Sequence, residues 1–486
     1  MECINKNKFI GGVIVINTNV SFVKKKLGYV FVPLNDHNKQ YILFTGKINE
    51  LLKSKKINGK INLFAIVKIT DNIYNKLNEV MLNCIIGPID DQENYYKTLL
   101  YYNPTYPINI NKYNHNLSSD VIKSLNTFIK TLTIDSTEEM YTYTIDPIGC
   151  QDLDDAISYI DENNFIIHIA DPNKFNNIID LNTYYDNYTS IYFGHKTYHL
   201  LPYELSTNFI SLIKNKIRPV LSIYFMFDNN GKPYINKIIR QNIKVNENLS
   251  YDEANIILQN NDSNNHINKL FEISKKLEPI YYQSEKILVD THDMIELFML
   301  VTNNKIAEYL INHNIINVLY KNCNENTSYY DYNNIGHNKL NLTSYVHFTS
   351  PIRRTADYII HQQIISCIDS YSATFELKDL LHYNNILQNI KFISNYAKYI
   401  YIANMINNGT IYKCKLLNFD KLNGKFKWYM LNYDLKFSCN LCHEDFLVKH
   451  QDLFDSLKIN EIYDIRLYKF NMGKLQLMRI AFEFDL

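Results

Sequence analysis

Residues 144–155, Thr-Ile-Asp-Pro-Ile-Gly-Cys-Gln-Asp-Leu-Asp-Asp, put Asp146, Asp152, Asp154 and Asp155 within ten positions, directly after a short β-like run ending at Ile145. Four carboxylates this close raise one another's pKa unless a cation or hydrogen-bond donors neutralise them. Ile145, Ile148, Leu153, Ala156 and Ile157 thread apolar positions through the acids. Part of the segment is therefore buried, and buried acids need partners. Hard oxygen ligands of this kind suit Mg²⁺ or Mn²⁺, which bind through a few carboxylates, waters and substrate phosphate. A calcium loop does not fit: with Asp152 at its first position, Ile157 and Asn163 stand where Gly and Glu belong. The plainer alternative is a solvated acidic loop.

A second chemistry-bearing stretch lies some two hundred residues later, in the run Tyr345-Val-His-Phe-Thr-Ser-Pro-Ile-Arg-Arg-Thr-Ala-Asp-Tyr-Ile-Ile-His361. It reads as a helix start, with Ser350 as N-cap, Pro351 at the first helical position, and Ile359, Ile360, Ile364 and Cys367 continuing at helical spacing. Arg353 and Arg354 then occupy the first turn, where cations oppose the helix dipole. An anion removes that conflict, and backbone N–H groups with two guanidinium forks make a phosphate clamp. Arginine is scarce, six of the fifty basic residues, so two adjacent ones stand out. The competing reading is a surface helix with two solvated charges.

With both motifs on the page, the chain resembles the ribonuclease II/ribonuclease R family, which includes the catalytic subunit of the eukaryotic exosome. The shared RNB domain carries a Thr-Ile-Asp…Asp-x-Asp-Asp stretch and a His-Phe-Thr-Ser-Pro-Ile-Arg-Arg stretch. Three more segments are similar, in the same order. Phe165-Ile-Ile-His-Ile-Ala-Asp171 looks like a family strand, and Thr189-Ser-Ile-Tyr192 with Leu201-Pro202 and Leu205-Ser206 looks like its Ser-x-Tyr…Leu-Pro…Leu-Ser segment. Met294-Ile-Glu-Leu-Phe-Met-Leu300 looks like its Ile-Glu-Glu-Phe-Met helix. The likeness covers residues 141 to about 370.

By that resemblance Asp146, Asp152, Asp154 and Asp155 match metal-binding and catalytic aspartates, and Arg353 matches an arginine that contacts the scissile phosphate. Tyr192 matches an aromatic that stacks on the terminal base, although a core role suits one tyrosine among forty equally well. Glu296 matches a helix carboxylate near the RNA end, with Leu297 in place of the family's neighbouring Glu; a solvent-facing acid explains it almost as well. Two departures stand out. Between Leu319-Tyr-Lys321 and the clamp motif only about two dozen residues remain, where the family carries a longer helical stretch that helps wall the RNA channel. Gly336-His337 and Leu340 to Tyr345 still match the end of that stretch. Thr355 replaces a usual Tyr, and Gln362 a common Arg.

The residues support metal-assisted hydrolysis. Asp146 and Asp155 are assigned to one ion, and Asp152 and Asp154 to a second ion or to water; two ions about 4 Å apart would activate water and stabilise the leaving 3′-oxygen. Arg353, with Arg354 behind it, would neutralise charge on the phosphate, and no side chain need be a covalent nucleophile. The resemblance implies 3′→5′ cleavage of single-stranded RNA to nucleoside 5′-monophosphates. The alternatives are an inactive RNB-like RNA-binding regulator and a metal nuclease of other polarity or with DNA as substrate.

The expected architecture is α+β, a central RNB catalytic domain flanked by small OB-type β-barrels: residues 1–90 an N-terminal OB or cold-shock-like barrel, 91–140 a connecting segment, 141–390 the shortened RNB domain, and 400–486 a C-terminal OB-type barrel. Alternating strand-like runs with turn signals at both ends carry the barrel expectation. Fifty basic and fifty acidic residues exclude wholesale coating of a polyanion, so RNA contacts must be local. Lys24 to Lys26 and Lys53, Lys55, Lys56 and Lys60 are two such patches, unless they are ordinary solvated faces. Trp428, the single tryptophan, is a base-stacking candidate or a core residue. Cys439-Asn-Leu-Cys-His443 formally fits a haem or half-zinc pattern but has no second half. No run reaches the roughly 18 apolar residues of a membrane span, and eight scattered cysteines suit a reduced, intracellular, cytoplasmic protein.

Overall fold

The structure, a computed structural model, describes residues 9–22, 26–36, 38–44, 61–74, 76–113, 115–135, 140–193, 196–260, 262–282, 287–325, 327–369, 377, 379–420, 425–431, 435–441, 456–459, 461–472 and 477–484. Two compact units emerge. One comprises Met1–Ile110, Tyr192–Thr197 and Gln388–Leu486, the other Asn111–Ile191 and Tyr198–Leu387.

In the first unit, β1 (Phe9–Phe22), β2 (Lys26–Pro33), β3 (Tyr41–Phe44), β4 (Leu63–Tyr74) and β5 (Leu77–Pro88) close into a barrel of order β1-β2-β3-β5-β4. Alternation drives the closure: Ile10, Ile14, Ile16, Phe31, Leu43, Leu63, Ala65 and Val67 point inward. β4 returns to β1 in register Phe9↔Lys68 through Ile14↔Leu63, and β3 pairs with β5 in parallel. Gly12 permits the tight β1–β2 approach, since a Cβ there would stand 2.4 Å from the Val32 carbonyl oxygen. Residues 91–140, expected as a connection, carry α1 (Gln92–Leu99) in this unit and α2 (Ser119–Thr131) in the second, capped by Asp91 and Ser118.

The second unit is built on a six-stranded sheet. β6 (Thr142–Asp146), β7 (Asp155–Asp161) and β8 (Asn164–Ala170) are followed by the single-turn α3 (Asn182–Tyr185); the small hairpin β9 (Ile191–Phe193) and β10 (Lys196–Tyr198) that comes next falls mostly in the first unit. β11 (Ile217–Phe227), β12 (Pro233–Lys244) and β13 (Glu247–Ser250) complete the order β12-β11-β8-β7-β6-β13, with β13 parallel to β6. Three helices follow: α4 (Tyr251–Gln259), α5 (His266–Tyr281) and α6 (Thr291–Asn312). Leu270, Ile273, Met294, Leu297 and Phe298 from α5 and α6 pack with Ile145, Ile157, Ile167, Ile169, Leu221 and Ile223 of the sheet. Ala156, Ala170, Val220 and Ile243, of the opposite strand parity, pack with Leu125, Phe175, Tyr185, Leu205 and Tyr358.

A polar row crosses that second parity. Thr142 Oγ1 lies 2.8 Å from Ser158 Oγ, Ser158 Oγ 3.0 Å from His168 Nε2, His168 Nδ1 2.7 Å from Ser222 Oγ, and Gln241 Nε2 donates to Ser222 Oγ at 2.8 Å. Every member is buried, His168 completely. Burial lowers the His168 pKa to about 3, so the ring is neutral.

The abbreviated stretch after Lys321 is a hairpin, β14 (Tyr320–Cys323) and β15 (Ser328–Asp331). It leads to α7 (Thr355–Asp369) and α8 (Leu380–Met405); α8 runs through the boundary expected between residues 390 and 400. The C-terminal barrel repeats the first topology: β16 (Thr410–Asp420), β17 (Lys425–Met430), β18 (Leu435–Leu441), β19 (Ile462–Met472) and β20 (Leu477–Phe484), in order β16-β17-β18-β20-β19 with β18 and β20 parallel. Trp428 is fully buried there against Phe426 and Phe482, which makes it a core residue and no base platform. Cys439 is buried in the same core, while Cys442 and His443 lie outside the described residues. So do Lys24, Lys25, Lys53, Lys55, Lys56 and Lys60, and Lys26 is described only in its backbone. Among the described residues no helix is long and apolar enough to cross a membrane.

Candidate active site

Asp146 is the last residue of β6, in register with Ser250 of β13. The chain then reverses over Pro147 to Cys150, with the Cys150 N–H donating to the Pro147 carbonyl at 3.0 Å and Gly149 in the left-handed region at φ +82°. Asp152 and Asp154 follow, both buried, and Asp155 is the first residue of β7. The Ala170 N–H donates to the Asp154 carbonyl at 2.9 Å, so the strand ladder begins beside the carboxylates. Strand pairing thus presents all four aspartates around one turn.

The helix expected from Ser350 begins later, at Thr355. Ser350 and Pro351 satisfy cap preferences, yet Asp357 Oδ1 takes the Ser350 N–H at 2.8 Å and holds residues 350–354 in a turn ahead of the helix. That turn meets the acidic loop: the Ile352 N–H donates to Asp154 Oδ1 at 2.7 Å, and Arg353 Nε lies 3.3 Å from Asp154 Oδ2. Arg353 Nη2 donates to Ser350 Oγ at 3.0 Å, and its side chain keeps 40% exposure against 3% for Asp154. Arg354 does not present a second open guanidinium. Its Nη2 and Nε each lie 2.8 Å from an oxygen of Asp357, whose side chain is fully buried. The two-fork clamp is therefore one reachable arginine with a second locked behind it.

Support comes from several directions. The Arg353 carbonyl accepts the Ser190 N–H and the Thr189 hydroxyl, each at 2.9 Å. The Tyr185 hydroxyl donates to the Pro351 carbonyl at 2.8 Å, and Thr355 Oγ1 donates to the Tyr185 carbonyl at 2.6 Å. Asn303 of α6 accepts the Phe348 N–H at 2.8 Å, fixing the chain that leads into the clamp.

Electrostatics match this crowding. Burial and then the neighbouring Asp155 raise the Asp146 carboxyl to about 8, opposed by a hydrogen bond from Thr144. Burial raises Asp155 to about 6, held down by the Arg353 and Arg354 guanidinium groups. Asp154 is pushed well above the usual carboxylate range by burial, with Arg353 pulling against it. Asp146 Oδ2 is buried without a hydrogen-bond donor. An all-oxygen donor set with an unsatisfied buried oxygen and carboxyls that resist ionising is the environment a hard divalent cation relieves. In donor chemistry the residues suit such an ion, although no three of these four carboxylates offer oxygens within 4.8 Å of one another.

Sequence reasoning missed Tyr251. It follows Ser250, the register partner of Asp146, and burial, then the nearby charges of Asp155, Asp146 and Cys150, raise the pKa of its hydroxyl. Its only sequence signal was position, one residue beyond a strand whose pairing no motif reveals. Glu296 is exposed on α6 and close enough to Tyr345 to help raise the pKa of that phenol. Tyr192 sits on β9 with 39% exposure, in the first compact unit, while the aspartates and arginines lie in the second.

Among the described residues, three candidate metal ligands that close to within 4.8 Å of one another are Asp290, His292 and Asp293. Helix capping accounts for two of them: Asp290 accepts the Asp293 N–H at 3.0 Å, and Asp293 Oδ2 accepts the Val289 N–H at 3.1 Å.

The RNB domain model matches residues 135–329 and 316–370. Ribonuclease R of Chlamydia pneumoniae is 25% identical, over 47% of this chain and 47% of that protein. Exosome complex exonuclease RRP44 of Homo sapiens is 24% identical, over 53% of this chain and 36% of that protein. The chain spans just under half the length of the ribonuclease R relatives it matches. In fold it is similar to the apo form of Mycoplasma genitalium RNase R, with TM-score 0.67 and 17% identity over 98% of this chain and 89% of that one. It is also similar to yeast Ssd1, a pseudonuclease, with TM-score 0.64 and 13% identity over 90% of this chain and 66% of that one.

Proposed function

We propose, from the premise that this chain belongs to the RNB-domain family of ribonuclease R and its relatives, that it is a metal-dependent exoribonuclease. It hydrolyses single-stranded RNA from the 3′ end to nucleoside 5′-monophosphates. The observation that carries this reading is the meeting of Arg353 with Asp154 inside the four-aspartate loop. Chemistry-bearing residues 199 positions apart converge on one carboxylate, with every acid of the motif retained.

Asp146, Asp152, Asp154 and Asp155 would hold Mg²⁺ or Mn²⁺, which supplies an acidified water and charge neutralisation at the phosphate. Arg353 is exposed enough to leave Asp154 for a phosphate oxygen, and its backbone stays fixed by Ser190 and Thr189 as the side chain turns. Arg354 stays with Asp357 and holds the turn. Asp146, protonated near neutrality while the loop holds only its own charges, is the group that gives up a proton when counter-charge arrives. Tyr192 and Glu296 are assigned to the RNA end, on family position. The 3′→5′ direction likewise comes with the family.

A second reading, an RNB-like protein that binds RNA without cutting it, has one support: the likeness of fold to yeast Ssd1, a pseudonuclease. Degradation of a 5′-labelled single-stranded RNA with Mg²⁺ or Mn²⁺, comparing wild type, Asp154→Asn and a matched DNA strand, separates the two. Metal-dependent shortening from the 3′ end, absent in the variant and on DNA, establishes the exoribonuclease. RNA binding without cleavage establishes the other.

A further inference from the structure

We propose that Ser211, with Leu212 beside it and the buried Arg218 behind it, is a positioning element that fixes the spacing between the two arms of the acidic loop. Asp152 lies on one arm and Asp146 on the other, so the element governs how tightly the cluster binds its cation. The proposal rests on the reading of the four aspartates as a metal site.

Ser211 is fully buried. Its Oγ donates to the Gln151 carbonyl at 2.8 Å and accepts the Leu153 N–H at 3.1 Å, so one hydroxyl brackets Asp152 on both sides. The next residue continues the grip, since the Leu212 N–H donates to the Leu153 carbonyl at 3.0 Å. The Leu212 carbonyl then accepts Asn248 Nδ2 at 3.0 Å, and the same amide donates to Thr144 Oγ1 at 2.8 Å. Thr144 stands two residues before Asp146 and is the register partner of Asn248. One dipeptide therefore reaches both arms.

Arg218 explains why that dipeptide stays where it is. The residue is 2% exposed. Its Nε and Nη2 donate to the Asn208 carbonyl at 3.2 and 2.8 Å, Nε also to the Ser211 carbonyl at 3.2 Å, and Nη1 to the Ile217 carbonyl at 2.9 Å. Among the described residues no carboxylate forms an ion pair with it. A guanidinium buried without a counter-ion is costly, and its donors here hold the loop that carries Ser211. Outer residues that orient metal ligands typically change affinity 10- to 100-fold when removed.

The test is Mn²⁺ affinity of the full chain, measured by electron paramagnetic resonance of free Mn²⁺ well below the melting temperature, with melting followed by circular dichroism. Ser211→Ala is expected to weaken Mn²⁺ binding by roughly tenfold or more, Ser211→Thr to restore most of it, and Ser222→Ala, an equally buried serine in the polar row, to lower melting while leaving Mn²⁺ affinity alone. Asn248→Ala, which cuts the link to Thr144, carries the test if Ser211→Ala does not fold and is expected to weaken Mn²⁺ binding as well. Unchanged affinity in folded Ser211→Ala, or an equal loss in Ser222→Ala, overturns the proposal. If wild type and Asp154→Asn bind Mn²⁺ alike, the metal-site reading itself falls and takes this inference with it.

Discussion

Asp154 holds both the main chain and the side chain of the clamp: one carboxylate oxygen accepts the Ile352 N–H at 2.7 Å, and the other lies 3.3 Å from Arg353 Nε. Of the two contacts, the backbone one is short and buried, and the guanidinium one long and half-open to solvent. The turn is thus anchored independently of where Arg353 points. That is the arrangement expected of an arginine that exchanges one anion for another.

Arg353→Ala should reduce kcat/KM on single-stranded RNA by about 10²- to 10³-fold, the usual loss for a group that meets developing charge. Melting should barely move. Arg353→Lys should recover only part of the rate, because an ammonium cannot present the forked donors of a guanidinium. Equal rates for Lys and Arg in steady-state kinetics would exclude a forked contact.

Acidity gives a second prediction. Asp146 and Asp155 titrate in the folded chain at about 8 and about 6, above their ordinary 3.8. The folded state therefore holds more protons than the unfolded one across that range, so their contribution to stability is complete below about pH 4 and is lost as pH rises to about 8. His168 and His361, lowered by burial to about 3 and about 4, act oppositely, favouring the fold as pH rises towards 6.5. Asp146→Asn isolates the carboxylate: in EDTA the variant should gain melting temperature over wild type from pH 6 to 8, and saturating Mn²⁺ should close the gap. A gap that is the same at pH 5 and pH 8 would refute the assignment.

Arg354 makes a structural prediction. Replacing it with Met leaves Asp357 buried and uncompensated, which should cost about 3–5 kcal/mol in urea unfolding. The double variant Arg354→Met, Asp357→Leu should regain much of that stability. Its activity should stay low, because the Ser350 N–H has lost its acceptor. A stable single variant would show that the pair contributes little.

Trp428→Ala should destabilise the C-terminal barrel by about 3–5 kcal/mol, as emptied aromatic sites do. Mn²⁺ affinity should not change. A fall in RNA binding with no loss of stability would restore the base-stacking role that its burial argues against.

The grouping of Asp146, Asp152, Asp154 and Asp155 around one turn was legible because the four lie within ten positions of one another along the chain. The barrels were legible because alternation and turn residues repeat at short range. The start of α7 was not. Ser350 and Pro351 satisfy every local preference for a helix N-terminus, and only Asp357, seven residues on, shows that the Ser350 N–H is already taken. Thr189 and Ser190 escaped as supports of Arg353 for a related reason: they bond to its carbonyl, a group every residue possesses. Tyr251 and Ser211 depend on strand register and loop packing, which no short motif encodes. Arg354 was half-legible, placed behind Arg353 in sequence, though its partner had to be seen.

The buried row from Thr142 through Ser158, His168 and Ser222 to Gln241 bears on how this sheet can be assembled at all. Strand side chains alternate, so a one-residue slip of β8 would drive His168 among the isoleucines of the opposite face and lift Ile167 or Ile169 into the hydroxyls. Such a mispaired sheet would strand a neutral imidazole without partners. Because Asp155 opens β7 beside Ile169 of β8, the register that satisfies the buried row is the same register that sets Asp155 against its neighbouring strand.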